Sequence, residues 1–491
     1  MPRIASPPAR RHDLSAAPGH RQAASRRGPA LNQDRAIITG LHADRREAKP
    51  LKAPITETFK LQRSHWILTF VVIELTCQIS LLFPTFAVLR VFVRSAAYLT
   101  AILYLFVIPR GSKNHPSSAW AMLAWFIVAV SIVHPDTNSV GGGLATLGIY
   151  ITVLSPIFWV PRIRIDVSTL RLLFMIYWLF NSLSALMGAV QIYYPGRFDP
   201  VVSTAWTENV VQALHITLAD GTRVFRPMGL TDSPGGASIG AAISIIFAVA
   251  FLLDKPSPLF AVVLLASVGV SCFTMYLCQV RSMLAMVVAS LLALSLPFVT
   301  QRRVGRYLWI VIPIAGIAVA AYVKAASVGG QALTTRWTTL VNDDVETVYY
   351  TNRGFFLANT LTELLPKYPF GAGLGRWGMA YAYFGDPYKV GAGPIWAEIQ
   401  WTGLLFDGGV LLMFAFAASL VTALATAIRL GSRVDDRHGR ELYKWATVLV
   451  GYAVGFTALT FNCCPFSSTG GVDFWLLNAA VFAASEQLKS S

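Results

Sequence analysis

Charge is scarce in this chain. Asp, Glu, Lys and Arg together make up 13% of the sequence, about half the share of a soluble globular domain, which excludes a conventional water-facing exterior. Acid is the scarcer sign: 25 Asp and Glu stand against 40 Lys and Arg, giving a formal net charge of +15. Cysteine is sparse too. The five cysteines form no disulfide framework and no spacing that suits a zinc site. Cys77 and Cys272 fall inside apolar runs and are expected as small core residues. Cys278, Cys463 and Cys464 are expected near an outer face, where oxidation is feasible. His134, His215 and His438 are scattered and make no ligand set, and the acids Asp343, Asp344 and Glu346 read as a solvated loop patch. No metal site or cofactor is expected. The positive charge comes with no basic helix or base-stacking platform, so nucleic acid is not an expected partner either.

What the chain has instead is apolar length. Hydrophobic residues make up 55% of it, and runs long enough to cross a bilayer recur from Trp66 onward. Spans are expected near 66–83, 86–108, 118–133, 142–160, 167–193, 236–253, 258–277, 282–299, 307–323, 400–428, 445–462 and 472–486. The expected fold is thus all-α, a polytopic membrane bundle of roughly twelve helices. Residues 1–62, rich in Pro, Ala, Ser and Arg and lacking the apolar core of a signal peptide, read as a disordered basic cytoplasmic arm. Residues 63–487 form the membrane domain, and 488–491 a short tail.

Basic residues assign the sides. Loops carrying Arg110 and Lys113, Arg162 and Arg164, Lys255, Arg302, Arg303 and Arg306, and Arg429 to Arg440 alternate with short loops at 134–141 and 463–471 that have no Lys or Arg. By the positive-inside bias the first set faces the cytoplasm, as do both termini. Arg90 and Arg94, in the outer half of the second span, break the pattern. The long segments 194–235 and 324–399 then fall outside. In the first, residues 215–225 alternate around Asp220-Gly221 and predict a hairpin; Arg226 follows, and Ser233-Pro234 offers an N-cap and first-turn proline for the next helix. In the second, a helix is expected over 353–366, before the glycine-rich turn Gly371-Ala-Gly-Leu-Gly375. Arginine is costly in hydrocarbon and persists at depth where it meets an anion, so Arg226 and Arg281, at one outer rim, are the leading functional candidates. Glu74 and Asp407 are ionisable groups inside spans, and Asp407 is a candidate for pairing with a neighbouring helix.

Four segments carry a family resemblance: Arg226-Pro-Met-Gly-Leu-Thr-Asp-Ser-Pro-Gly235, Gln279-Val-Arg-Ser282, Arg353 followed by Tyr368-Pro-Phe-Gly-Ala-Gly-Leu-Gly375, and Glu398 to Asp407-Gly-Gly409. In order and spacing they resemble the motifs of bacterial O-antigen ligases and O-antigen-polymerase-like proteins, in detail over about 220–420 and in hydropathy over the whole chain. The resemblance implies transfer or polymerisation of glycans from a polyprenyl-diphosphate-linked donor, without a metal ion, at the extracytoplasmic face of the bacterial cytoplasmic membrane. It implies that Arg226, Arg281 and Arg353 bind the donor diphosphate. Ligases of the family carry a histidine, the candidate base, where this chain has Glu398, which shifts the expectation from ligase toward polymerase. Glu398 becomes the candidate base, with Trp396 and Trp401 as candidate sugar-stacking faces. Expected partners are the lipid-linked glycan, membrane lipids and other polysaccharide-assembly proteins. The alternative is a multi-pass transporter or flippase of lipid-linked sugars. Residues 431–440 approach a loop signature of major facilitator proteins, but with the glycine displaced and after the wrong span. The two halves of the chain show no repeat.

Overall fold

The computed structural model describes residues 65–86, 89–109, 113–194, 197–198, 214–217, 223–231, 233–300, 304–342, 344–432 and 440–489. The basic arm expected over 1–62 lies outside them, as do Arg110, Arg302, Arg303, Asp343, His438 and the turn Asp220-Gly221. The described chain is an all-α polytopic membrane protein with one small hairpin. Eight of its helices are long and apolar enough to cross a bilayer. They are α2 (Arg90–Val107), α5 (Val167–Tyr193), α6 (Gly236–Leu253), α7 (Pro258–Leu277), α8 (Arg281–Thr300), α9 (Val304–Asn342), α12 (Gln400–Ser432) and α13 (Arg440–Ala458). Four further expected spans are also helical. These are α1 (His65–Ser80), α3 (Ser118–Ser131), α4 (Val140–Leu154), which bends by 40° into a short continuation, and α14 (Thr469–Leu488). Two helices outside this set, α10 (a helical stretch from Val345 to Lys367) and α11 (Gly378–Phe384), belong to the long loop before α12.

α6 forms the axis of the bundle. It is buried along almost its whole length and packs on α5, α7, α8 and α13. Small residues let it sit so close: a side chain at Gly188 of α5 would meet Ala237 at 2.3 Å, and one at Gly240 would meet Ser184 at 3.2 Å. Where lipid is as apolar as leucine, this tight backbone approach is what holds helices together. α9, by contrast, is mostly exposed apolar surface, as a lipid-facing helix should be. Glu74 is buried in α1 against Asp473 of α14, whose Oδ1 accepts from the Tyr177 hydroxyl at 2.5 Å. Asp407 does pair with a neighbouring helix: its two oxygens accept from Tyr150 Oη of α4 and Trp377 Nε1, both at 2.9 Å.

The loops 134–139, 371–399 and 463–468 meet at one end of the bundle, the loop end. Asn138 Nδ2 donates to the carbonyls of Asp386 (3.0 Å) and Ala392 (2.8 Å), and Gln400 N to Cys463 O at 3.0 Å. Arg94, awkward for the charge rule, reaches this end too, where its Nη1 lies 3.0 Å from Met379 Sδ and its guanidinium faces the Tyr383 ring. Basic residues hold the opposite helix ends: Lys444 and Arg171 flank Asp254, Arg306 donates to Leu253 O, and Lys113 pairs with Glu486.

The glycine-rich turn earns its composition here. α12 is broken at Gly408 and Gly409, the latter at φ 66°, and the turn enters the gap: Ala372 N donates to Phe406 O at 2.8 Å, and Val410 N to Pro369 O at 3.0 Å. Backbone groups freed by the break are thus satisfied by protein, as a membrane interior requires. A Cβ at Gly409 would lie 2.1 Å from Pro369 O, whereas one at Gly391, also left-handed at φ 81°, meets nothing within 4 Å. Gly409→Ala is therefore expected to cost about 2–5 kcal/mol, combining left-handed strain with overpacking. Gly391→Ala should bear only the strain, about 1–2 kcal/mol. Thermal unfolding followed by tryptophan fluorescence in detergent will rank the two, and equal losses would refute the close approach.

Three expectations are corrected. The N-cap of α6 is Gly235 and not Ser233: the chain turns into the helix through a left-handed residue, φ 73°, a conformation glycine adopts at little cost. α9 does not end near 323 but runs to Asn342 through a bend at Gly330 (φ 63°). Arg353 does not begin its helix; α10 starts at Val345, and Arg353 stands inside a π turn, Tyr350–Gly354.

Candidate functional site

Arg226 is delivered by the hairpin. β1 (His215–Thr217) and β2 (Arg223–Phe225) pair antiparallel, with His215 opposite Phe225, and Arg226 N closes the ladder on Leu214 O at 2.6 Å. The chain then locks onto α5: Gln191 binds both backbone groups of Gly229 (2.8 and 3.1 Å), and Ser184 Oγ accepts from Leu230 N at 3.1 Å. Arg226 thus turns its guanidinium across the start of α6, where a Cβ on Gly235 would be 3.2 Å from Nη2. Two positive ends meet there, the guanidinium and the helix dipole.

Arg281 is the first residue of α8. The turn before it is strained, since Gln279 is left-handed at φ 53° without being glycine. Gln279 O accepts from Arg336 Nε at 3.1 Å. Arg336 belongs to the part of α9 beyond the Gly330 bend, and its neighbour Trp337 pins that extension to α7 through Tyr276, Nε1 to O at 3.4 Å with ring centroids 5.3 Å apart. Arg336 has Arg281 and Arg226 as charged neighbours. Arg226 in turn has Arg353, and across from it Glu398. Burial first, and these like charges second, press both Arg226 and Arg336 below the ordinary arginine range.

Glu398 closes the cluster. It is ion-paired to Arg353 Nη1, and its Oε2 accepts from Trp396 Nε1 at 2.9 Å. Arg353 also lies over the Phe356 ring, 5.9 Å from its centroid. Beneath the cluster, burial pushes the Cys278 and Cys463 thiols up to about 12, so the oxidation considered for them is disfavoured: both stay protonated at neutral pH.

Arg226 thus has Arg353, Glu398 and Arg336 as charged neighbours, and Arg336 has Arg281. Of the residues named from sequence, Arg226, Arg353 and Glu398 are charged neighbours of one another, and Arg281 is a neighbour of Arg336. The structure separates the two tryptophans. Trp396 is 75% exposed beside Glu398, while Trp401 packs on Phe461 with centroids 5.7 Å apart, leaving it less face to offer. Arg336 was missed. No motif surrounds it, and its only local signal is the Gly329-Gly330 pair that allows the bend before it. Chemically, such a cluster can hold an anion of more than one charge beside a carboxylate able to accept a proton. Arg226 Nε supports that use, being buried with no hydrogen-bond partner among the described residues.

Fold and site together define an all-α polytopic membrane protein with an arginine-rich cluster at one end of its bundle. No protein-family model matches the chain, and no curated protein matches it.

Proposed function

We propose that this chain transfers or polymerises polyprenyl-diphosphate-linked oligosaccharide units in surface or exopolysaccharide synthesis. In this reading it crosses the bacterial cytoplasmic membrane about twelve times, with both termini inside and the loop end outside. The observation that carries the proposal is the meeting of Glu398 with Arg353 beside the half-buried Arg226. An acid–base group and leaving-group anchors are what inverting glycosyl transfer needs, and they lie within one electrostatic neighbourhood.

The step follows from the placement. Glu398 accepts the proton of an acceptor sugar hydroxyl as its oxygen attacks the anomeric carbon of the donor. The bond from that carbon to the diphosphate breaks on the opposite face, and its electron pair leaves with the lipid diphosphate. Arg226, Arg281 and Arg353 neutralise the charge that grows there, which stabilises the transition state more than the ground state. Arg353 has two calls upon it, the Glu398 carboxylate and the incoming phosphate. Binding of the donor draws Arg353 toward phosphate and leaves the Glu398 carboxylate free to act.

The test is chemical. Protein in nanodiscs, given a polyprenyl-diphosphate oligosaccharide in EDTA, is expected to lengthen the glycan and release lipid diphosphate. Movement of the lipid between leaflets with no bond cleaved would establish the transporter reading in its place.

A further inference from the structure

A pocket of about 400 Å³, counting the space at its mouth, lies between α4, α11, the start of α12 and the loop 463–468, and no arginine lines it. Its walls carry the two kinds of surface that a sugar ring needs. Trp377, Tyr150 and Phe466 supply ring surface for the C–H faces of a pyranose, and Asp407, Gln400 and Ser467 supply polar atoms for its hydroxyls. These groups are held in place before any ligand arrives. α12 makes room for the Trp377 indole with Gly403, where a Cβ would lie 2.5 Å from ring carbons Cη2 and Cζ2. Asp407 is 1% exposed, and each of its oxygens accepts one hydrogen bond at 2.9 Å, from Tyr150 Oη and Trp377 Nε1, which leaves a lone pair on each. Gln400 is 2% exposed. Its Oε1 accepts from Phe466 N at 3.0 Å, which fixes the orientation of the amide and leaves Nε2 with no hydrogen-bond partner among the described residues. That nitrogen has two N–H donors to offer a ligand.

We propose that this pocket binds one neutral sugar ring of the acceptor glycan. The inference rests on the transfer reading above. Gln400 follows Glu398 by two residues, so their Cα atoms lie within about 7 Å of each other. The loop 463–468 ties the two places together: Cys464 Sγ lies 3.8 Å from Ala397 O, Cys463 O accepts from Gln400 N at 3.0 Å, and Ser467 stands in the pocket wall. In the pocket, one hydroxyl of the ring donates to Asp407 and another accepts from Gln400 Nε2. The acceptor chain is then presented to Glu398 with its ring held against rotation, which is what attack on an anomeric carbon requires. Asp407 also sets a specificity. A uronic acid would bring a second carboxylate against it, so the pocket selects uncharged rings.

Saturation-transfer NMR on nanodisc-embedded protein, with the methyl glycosides of glucose, galactose, mannose and glucuronic acid as probes, tests the pocket without turnover. At least one neutral glycoside is expected to bind wild type about tenfold more tightly than the glucuronide. Gln400→Glu keeps an oxygen for Phe466 N but removes the N–H donors, and it should weaken that glycoside by about tenfold. Ser467→Leu, which fills the pocket from a different loop, should weaken it as much, and it decides the matter if Gln400→Glu does not fold. In transfer assays the same variants should raise KM for the acceptor by a similar factor while KM for the donor holds. No binding of any glycoside to wild type, or unchanged binding in the folded variants, overturns the proposal; glycan transfer that still proceeds in that protein would leave the transfer reading standing. Binding that depends on Gln400 in a protein that cleaves no donor would defeat the transfer reading and strip the pocket of its acceptor role.

Discussion

Arg226→Ala is expected to lower kcat/KM for glycan transfer by about three orders of magnitude or more, with the protein still folded. Removing one preorganised donor to a developing anion costs about 10²–10³ in kcat in other sites, and arginines on phosphoryl oxygens up to about 10⁵. Arg226 stands at the centre of this cluster, with Arg353 and Glu398 among its neighbours and itself a neighbour of Arg336, so no other side chain replaces it. Arg226→Lys should recover only a small part, because a point charge cannot make two parallel contacts to phosphate. The stability readout separates function from folding. Arg226 is half-buried with like charges among its neighbours, and its Nε has no partner among the described residues, so its loss relieves repulsion. The thermal midpoint should hold or rise while activity collapses, the pattern of a residue kept for function at a cost in stability. Near-wild-type turnover in Arg226→Ala would end its assigned role, and a collapse of both midpoint and activity would make it structural.

Much of this organisation was legible because charge is so scarce. In a chain with few charges, each arginine outside a basic loop stands out, and Arg226 and Arg281 could be picked before any geometry was known, whereas Arg353 was named only by the family resemblance. The apolar runs located seven of the eight long helices within a few residues, since a bilayer leaves little choice of length. The glycine-rich turn at 371–375 was visible as a pattern, but its reason was not. That reason lies in a break some thirty residues later, where Gly409 leaves room for Pro369 and Phe370. The end of α9 was hidden for a related cause. Thr334-Thr335-Arg336-Trp337-Thr338 is too polar to read as a span, and only packing on α7 keeps it helical. Arg336 was lost with it. The α6 cap was misread because Ser-Pro is a strong local start signal, whereas the helix starts two residues later at the left-handed Gly235, against which the Arg226 guanidinium lies. In each case the missing information was a contact between distant segments, which no local pattern encodes.

Glu398→Gln is the second large effect, and its two kinetic constants should move in the same direction. As the base, Glu398 contributes about 10²–10⁴ to kcat, and the amide cannot accept the proton. As the partner of Arg353, it competes with the donor phosphate for one guanidinium. The neutral amide competes far less, so donor affinity should rise and KM fall by several-fold even as kcat collapses. That combination marks a removed ground-state interaction together with a removed chemical one. Glu398→Asp keeps the charge on a shorter arm and should keep the ordinary KM with a reduced kcat. Trp396→Phe deletes the hydrogen bond to Oε2, and it should cost only a few-fold, because the Arg353 pair still orients the carboxylate. Steady-state kinetics on purified protein in nanodiscs will separate these cases. If Glu398→Gln keeps wild-type kcat with a lowered KM, then Glu398 only restrains Arg353, and the base must be sought among other groups near Arg226. If kcat falls and KM rises, the ion pair was shaping the donor site instead of obstructing it, and the exchange of Arg353 between carboxylate and phosphate is wrong.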